Sequence, residues 1–129
     1  NKEIHKYHGG ISKSFTDNFI SLDSFVEKEN IKNIDLIKID VDGNEKNVIE
    51  SSMKSLEKFK SIIFLEIAPY LYAENNYKFD DLNDLLVKFK YEYFTSQIGQ
   101  ISNIHKYVSK IKIGSSKNVF VISKFFDFK

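Results

Sequence analysis

The apolar positions of the chain predict two buried strands joined by an amphipathic helix. Ile34 to Val41 is a short β-branched run bounded by turn residues, which is typical of a strand buried on both faces. Apolar residues then recur at helical spacing from Val48 to Leu56, and Ile62 to Ile67 forms a second apolar run. The connection is long enough for a right-handed crossover, so we expect the two strands to be parallel and adjacent.

Further elements are predicted on either side of this unit. A helix capped by Ser21 ends near Asn30, and Asp80 or Asp81 opens the most clearly amphipathic helix of the chain. Two later runs, Tyr91 to Thr95 and Val119 to Ser123, predict an antiparallel closing pair of strands. The pattern as a whole predicts a single α/β domain.

Three segments lack a clear period. Asn1 to Asn18 is interpreted as a loop, and Tyr70 to Tyr77 as a second loop rich in tyrosine and asparagine. Gln97 to Ser116 is compatible either with a helix or with an irregular excursion. His5 and His8 have a spacing that metal ligands use, but no third ligand is near in sequence, so no metal site is predicted there.

Composition narrows the classes of function. The chain has 129 residues, and its 19 basic and 18 acidic side chains give a net charge of +1, which offers no electrostatic reason for nucleic-acid binding. Every basic residue is a lysine, so the bidentate guanidinium grip on phosphate is missing. There is no cysteine and no apolar run long enough to span a membrane. We expect a soluble cytoplasmic protein, and the start at Asn1 suggests a processed or truncated piece.

Acidic residues gather where the two parallel strands are predicted to end. Asp40, Asp42, Asn44 and Glu45 lie at the C-terminal end of the first strand, and Glu66 lies near the end of the second. Ligands of open α/β sheets bind outside the carboxyl ends of the strands, and neighbouring strands lie about 4.8 Å apart. A convergent pair of carboxylates can take a proton from a hydroxyl or hold a hard cation. We therefore predict Asp40, Asp42 and Glu66 as the catalytic acids.

Simpler interpretations remain open for several of these residues. Asp42 and Glu45 have the spacing of a helix capping box, which is the favoured interpretation for Glu45. Lys38 is expected to pair with a carboxylate such as Asp23 or Asp35, because an unpaired buried lysine is costly. Three tyrosines after the second strand can either line a substrate mouth or pack on the surface: Tyr70, Tyr72 and Tyr77.

Three segments resemble one family in the same order. Lys38 to Glu45 reads Lys-Ile-Asp-Val-Asp-Gly-Asn-Glu and is similar to the Lys-Ile-Asp-Val-Glu/Asp-Gly-x-Glu signature of the FkbM family. Ser21 to Phe25 resembles its Thr-Leu-Asp segment, with serine in place of threonine, and Ile62 to Glu66 resembles its apolar strand ending in glutamate. The resemblance implies a Rossmann-like fold, S-adenosylmethionine as cofactor with Asp40 and Val41 in contact with it, and methyl transfer to a hydroxyl of a sugar, glycolipid or polyketide-type product.

The resemblance covers the C-terminal half of such a domain. The glycine-rich turn that cradles the cofactor in this family is not found, since none of the glycines at 9, 10, 43, 99 and 114 stands in a matching strand–turn–helix setting. This chain alone is therefore expected to bind S-adenosylmethionine poorly. An incomplete sheet would also expose a strand edge that permits self-association. The alternative hypothesis is a non-catalytic α/β interaction module or a degenerate remnant.

Overall fold

A four-stranded mixed sheet forms the centre of the fold. The structure is a computed structural model that describes residues 19–127, and the predicted loop before Phe19, with its two histidines, lies outside the described residues. The sheet order is β1-β2-β4-β3, with β1 and β2 parallel and β4 antiparallel to both of its neighbours. The strands are β1 Leu36–Ile39, β2 Ile62–Ile67, β3 Tyr91–Thr95 and β4 Lys117–Ser123.

Helices occupy the connections between the strands. The first precedes β1, two lie in the crossover from β1 to β2, two separate β2 from β3, and one separates β3 from β4. A 3₁₀ helix, Ala73–Asn75, follows the fourth of them directly. The helices are α1 Leu22–Lys28, α2 Glu45–Glu50, α3 Met53–Phe59, α4 Pro69–Tyr72, α5 Phe79–Lys88 and α6 Ile104–Val108.

The strand predictions are confirmed in type, direction and neighbours. β2 and β3 have the predicted bounds, β1 and β2 are parallel, and β3 pairs antiparallel with β4. The expectation that the first strand is buried on both faces is wrong: β1 is short, Leu36 is 57% exposed, and of its four residues Ile39 alone is buried. The physical reason is position, because β1 has a neighbour on one side only among the described strands.

The predicted continuous crossover helix is broken into α2 and α3. The break falls at Ser51 and Ser52, whose hydroxyl groups donate to the carbonyl of Val48 at 3.0 and 2.5 Å. Serine hydroxyls bonded to the preceding turn compete with the helical backbone ladder, and the helix ends there.

Asp23 caps the second of these helices from a distance in sequence. Its carboxylate accepts hydrogen bonds from the backbone N–H groups of Lys54 and Ser55 at 3.1 and 2.8 Å, and from the Ser55 hydroxyl at 2.6 Å. These are N–H groups of the first turn of α3, which have no partner inside the helix. Asp23 therefore ties α1 to the crossover and is not the partner of Lys38.

The core lies between the sheet and the helices, with α5 contributing Phe79, Leu82 and Leu86, and two of the three tyrosines belong to it. The segment predicted as a loop is α4 with its 3₁₀ extension, begun by Pro69 at the first helical position. Tyr72 and Tyr77 are buried and stacked, with ring centroids 4.8 Å apart. Neither packs on the surface, so that interpretation is wrong for these two residues, and the interpretation as part of a substrate mouth stays a prediction.

The remaining elements follow the sequence closely. α5 begins at Phe79, slightly earlier than predicted, and Asp81 caps it by accepting the backbone N–H of Lys78 at 2.7 Å. The uncertain segment before β4 contains one short helix, α6, in an otherwise irregular path. Among residues 19–127, no helix is long and apolar enough to cross a membrane.

Candidate active site

Asp40 and Glu66 leave the same edge of the sheet side by side. β1 and β2 pair in parallel register, with Ile39 opposite Leu65, so the next residue of each strand stands opposite the other. Their carboxyl groups are close enough to share a hydrogen bond when one of them is protonated. The predicted convergence of carboxylates at the ends of the two parallel strands is therefore present in the structure for these two residues.

Asp40 is the anionic member of the pair. Its Oδ2 lies 2.9 Å from Lys38 Nζ, and this ionic hydrogen bond, followed by the one shared with Glu66, lowers the pKa of the Asp40 carboxyl. The partner expected for Lys38 is corrected accordingly, because Asp35 accepts instead from the Asn33 side chain at 2.8 Å. Lys38 is exposed, since its strand is not buried on both faces, and it reaches along β1 to the acidic edge.

Glu66 is the member that holds a proton more readily. Partial burial raises the pKa of its carboxyl, and the neighbouring charges of Asp40 and Glu45 raise it further. Ser116 donates a hydrogen bond from its hydroxyl to Glu66 Oε1 at 2.5 Å, which lowers the same pKa in part. Two acids at one edge thus have pKa values displaced in opposite directions.

Asp42 lies on the loop that follows Asp40 and precedes α2. It is exposed and has a left-handed backbone, with φ of +50°. Its negative charge acts on Tyr70, the half-buried first-turn residue of α4, whose phenol pKa is raised by burial and then by the charges of Glu66, Asp42 and Glu74. Asp42 and Glu66 thus both lie near enough to Tyr70 for their charges to act on its phenol. Asp42 does not cap α2, whose N-cap residue is Asn44, without a side-chain hydrogen bond.

Glu45 has a different place from the one predicted. It is fully buried, and its Oε1 accepts the backbone N–H groups of Val41 and Gly43, each at 3.3 Å. Tyr77 donates its hydroxyl to Oε2 at 3.3 Å. The capping-box interpretation of Glu45 is wrong, because the carboxylate turns back into the loop that precedes α2 instead of bonding at an N-cap.

Gly43 packs this loop against α4 and the 3₁₀ helix. Its φ is +91°, and a Cβ placed there would lie 2.6 Å from Asn75 Nδ2 and 2.8 Å from Leu71 Cβ. The glycine is therefore required by close packing inside the protein and does not open a cradle for a ligand.

The fit to S-adenosylmethionine is accordingly incomplete in the described residues. Asp40 offers an exposed anionic acceptor, as a ribose or an ammonium group needs. Val41 offers only its side chain, since its N–H is bonded to Glu45 and its carbonyl accepts the N–H of Asn44. The described residues supply an acidic wall and no glycine cradle. Among residues 19–127 there is also no group of three or more potential ligands that could hold a metal ion.

Comparison with protein-family models identifies the family of the chain. The model of the FkbM methyltransferase domain matches residues 3–93. The chain belongs to the FkbM methyltransferase family. Its mixed sheet is consistent with part of a Rossmann-like methyltransferase fold. No curated protein and no solved structure matches the chain.

Two contributions to the site were not found from the sequence. Ser116 lies beyond the family match and in a segment without periodicity, and its approach to Glu66 depends on the insertion of β4 beside β2. The burial of Glu45 did have a signal: it precedes Ile49 by one helical turn and so shares the apolar face of α2.

Proposed function

We propose that this protein takes part in O-methyl transfer from S-adenosylmethionine to a hydroxyl group of a sugar, glycolipid or polyketide-type product. Membership of the FkbM methyltransferase family supports methyl transfer as the reaction. The observation that supports a hydroxyl acceptor is the Asp40–Glu66 pair at the carboxyl edge of adjacent parallel strands. A hydroxyl must lose its proton to become an ether, and this pair has one carboxyl that is readily anionic and one that readily holds a proton.

The two acids have separate roles in this proposal. Asp40, kept anionic by Lys38, accepts a hydrogen bond from the acceptor hydroxyl and orients its oxygen. Glu66 takes the proton as the oxygen forms its new bond to carbon, because a carboxylate with a raised pKa is the stronger base. The cofactor, when bound, supplies an electrophilic methyl group. Ser116 keeps the Glu66 carboxyl in place through the hydrogen bond to Oε1.

Asp42 is proposed as a third contributor at the mouth of the site. It is exposed on the loop that follows Asp40, and its charge acts on Tyr70, as that of Glu66 does. A hydroxyl-rich acceptor presents many hydrogen-bond donors, and exposed carboxylates accept them. Asp42 is therefore assigned to holding the acceptor and not to proton transfer.

The experiment that tests this function follows an isotope-labelled methyl group from S-adenosylmethionine into acceptors. Each acceptor is offered in two forms, one with free hydroxyl groups and one in which those hydroxyls are already blocked as acetyl esters. We expect label in the free form alone, and loss of label with Glu66→Gln. Label in the blocked form would contradict hydroxyl methylation. No transfer to any acceptor would favour the alternative, a non-catalytic interaction module or degenerate remnant.

A further inference from the structure

Glu45 is a fully buried carboxylate without a cation. Its partners are two loop amides and one phenol, and among residues 19–127 it forms no ion pair. Removing a carboxylate from water is costly unless hydrogen bonds replace the lost hydration. An apolar side chain at this position of α2 would cost less free energy to bury. The presence of a carboxylate therefore requires an explanation other than packing.

Two of the three hydrogen bonds of Glu45 are made with the loop that carries the acidic edge. Val41 and Gly43, whose N–H groups it accepts, directly follow Asp40 and Asp42 in the chain. Among the described residues these two N–H groups have no other acceptor, so without Glu45 the loop would have to open toward water to satisfy them.

A second set of contacts, with the helical segment that follows β2, packs against the same loop. Gly43 packs against Leu71 and Asn75, with no room for a Cβ. Tyr77, which follows the same segment, stacks on Tyr72 and donates its hydroxyl to Glu45. The loop is thus fixed between a carboxylate on one side and the helical segment after β2 on the other.

We propose that Glu45 is a positioning residue, which together with Tyr77 fixes the loop of residues 40–44 so that Asp40 stays beside Glu66. The proposal rests on the function proposed above only for the role of that pair. Its structural content, that a buried carboxylate sets the distance between two edge acids, stands independently of the reaction catalysed.

The first test compares two tyrosine variants that each remove one buried hydroxyl. Tyr77→Phe deletes the hydrogen bond to Glu45, whereas Tyr91→Phe deletes an equivalent bond to the Ser61 carbonyl, 3.0 Å long and at the other end of β2. We expect hydrogen exchange at the amides of Val41 and Gly43 to become about tenfold faster in Tyr77→Phe, the effect of losing one ordinary hydrogen bond. Tyr91→Phe serves as the control and should leave those two amides unchanged.

The second readout is the titration of the acid pair, followed by carboxyl carbon NMR. In Tyr77→Phe the pKa of Asp40 should rise and that of Glu66 should fall, each toward its ordinary value, because their mutual hydrogen bond weakens. Tyr91→Phe should change neither pKa. The other charged or titratable groups around the pair remain the same in both variants: Lys38, Asp42, Glu45, Tyr70 and Glu74.

Substitution of Glu45 itself completes the test. Glu45→Gln keeps an oxygen for the two loop amides and should retain most of their exchange protection, whereas Glu45→Ala should lose it. If Tyr77→Phe and Tyr91→Phe alter the loop amides and the acid pair equally, Glu45 acts in general stability and the proposal fails. If the amides and the titrations respond as expected but Asp40→Asn still transfers methyl groups at full rate, the positioning role stands and the proposed function fails.

Discussion

Asp40 and Glu66 lie beside each other across two parallel strands, and their pKa values are displaced in opposite directions. The ion pair with Lys38 lowers that of Asp40, and partial burial raises that of Glu66. Pairs of acids whose environments separate their pKa values are a recurring means of dividing proton chemistry between two similar groups. Here the two pKa values separate because Lys38 lies on the strand of Asp40 and because Glu66 is partly buried.

Asp40→Asn should abolish most of the activity and leave the fold intact. We expect methyl transfer to fall by roughly a hundredfold or more, the range typical of lost acid–base groups. The free energy of unfolding should change by less than about 1 kcal/mol, because the ion pair with Lys38 is exposed. The control is Asp35→Asn, a carboxylate just before the start of the same strand, which should keep full activity. Full turnover by Asp40→Asn would show that the acid pair is structural.

Glu66→Gln should change how stability depends on pH. A carboxyl whose pKa is raised on folding stabilises the protein fully below its unfolded pKa, and this stabilisation is lost as pH rises through the folded value. Glutamine does not titrate, so relative to wild type the variant should gain stability as pH is raised from below 4.5 to neutrality. Asp40 acts with the opposite sign and below 3.8, outside this window. Urea unfolding at several pH values measures the difference, and a constant difference would contradict the raised pKa.

Ser116→Ala should move the titration of Glu66 upward. The serine hydroxyl donates to Glu66 Oε1 and favours the charged carboxylate, so its removal should raise the pKa of Glu66 further. The pH at which the rate of methyl transfer rises should then move upward, while the maximal rate should change less. Ser115→Ala, the exposed neighbour, is the matched control. An unshifted pH profile in Ser116→Ala would remove this residue from the site.

The sequence pattern predicted those parts of the fold that depend on local periodicity. β2 and β3 were predicted with their bounds because alternation and turn residues mark them, and the convergence of Asp40 with Glu66 followed from parallel pairing alone. The approach of Ser116 could not be predicted in the same way, because it depends on β4 entering between two strands that are earlier in the chain.

The errors have two physical causes, a tertiary contact in one case and local side-chain hydrogen bonds in the other. Spacing placed Glu45 in a capping box, but a hydrogen bond from Tyr77, 32 residues away, places it in the interior. Helical spacing also predicts one continuous helix through Ser51 and Ser52, whereas the side-chain hydroxyls of these residues end α2 there. Neither the proposed catalytic roles nor the cofactor contacts of Asp40 and Val41 are decided by the fold, and they stay predictions.

Asp23→Ala should destabilise the protein without altering the acid pair. The carboxylate caps α3 through the N–H groups of Lys54 and Ser55, and loss of such a cap costs about 0.5–2 kcal/mol. Thermal unfolding should show the loss, whereas Asp84→Ala, an exposed carboxylate within α5, should have little effect. Equal stability of the two variants would mean that the cap adds nothing to the fold.

The edge of β1 should support weak self-association of this chain. Among the described strands β1 is paired on one side only, and Leu36 is 57% exposed on it. Unpaired strand edges bind further strands, and lysine at an edge opposes this. Leu36→Lys should therefore lower the apparent mass in light scattering. Val87→Lys, at a 51% exposed position of α5, should leave that mass unchanged. A monomer at all concentrations would contradict the prediction.

The close packing of Gly43 and Glu45 distinguishes, in the loop of residues 40–45, positions whose side chains cannot change from positions whose side chains can. Gly43 tolerates no side chain and Glu45 is enclosed, so substitutions at these two positions would disturb the backbone. Asp42 and Asn44 alternate with them and are exposed. Asn44 can be exchanged without moving the backbone, whereas Asp42, with φ of +50°, is restricted to residues that tolerate a left-handed backbone, such as asparagine and glycine. Under the proposed function, such a loop would let a lineage acquire new acceptor preferences through substitutions at Asn44 and a few at Asp42, while the Asp40–Glu66 pair is kept.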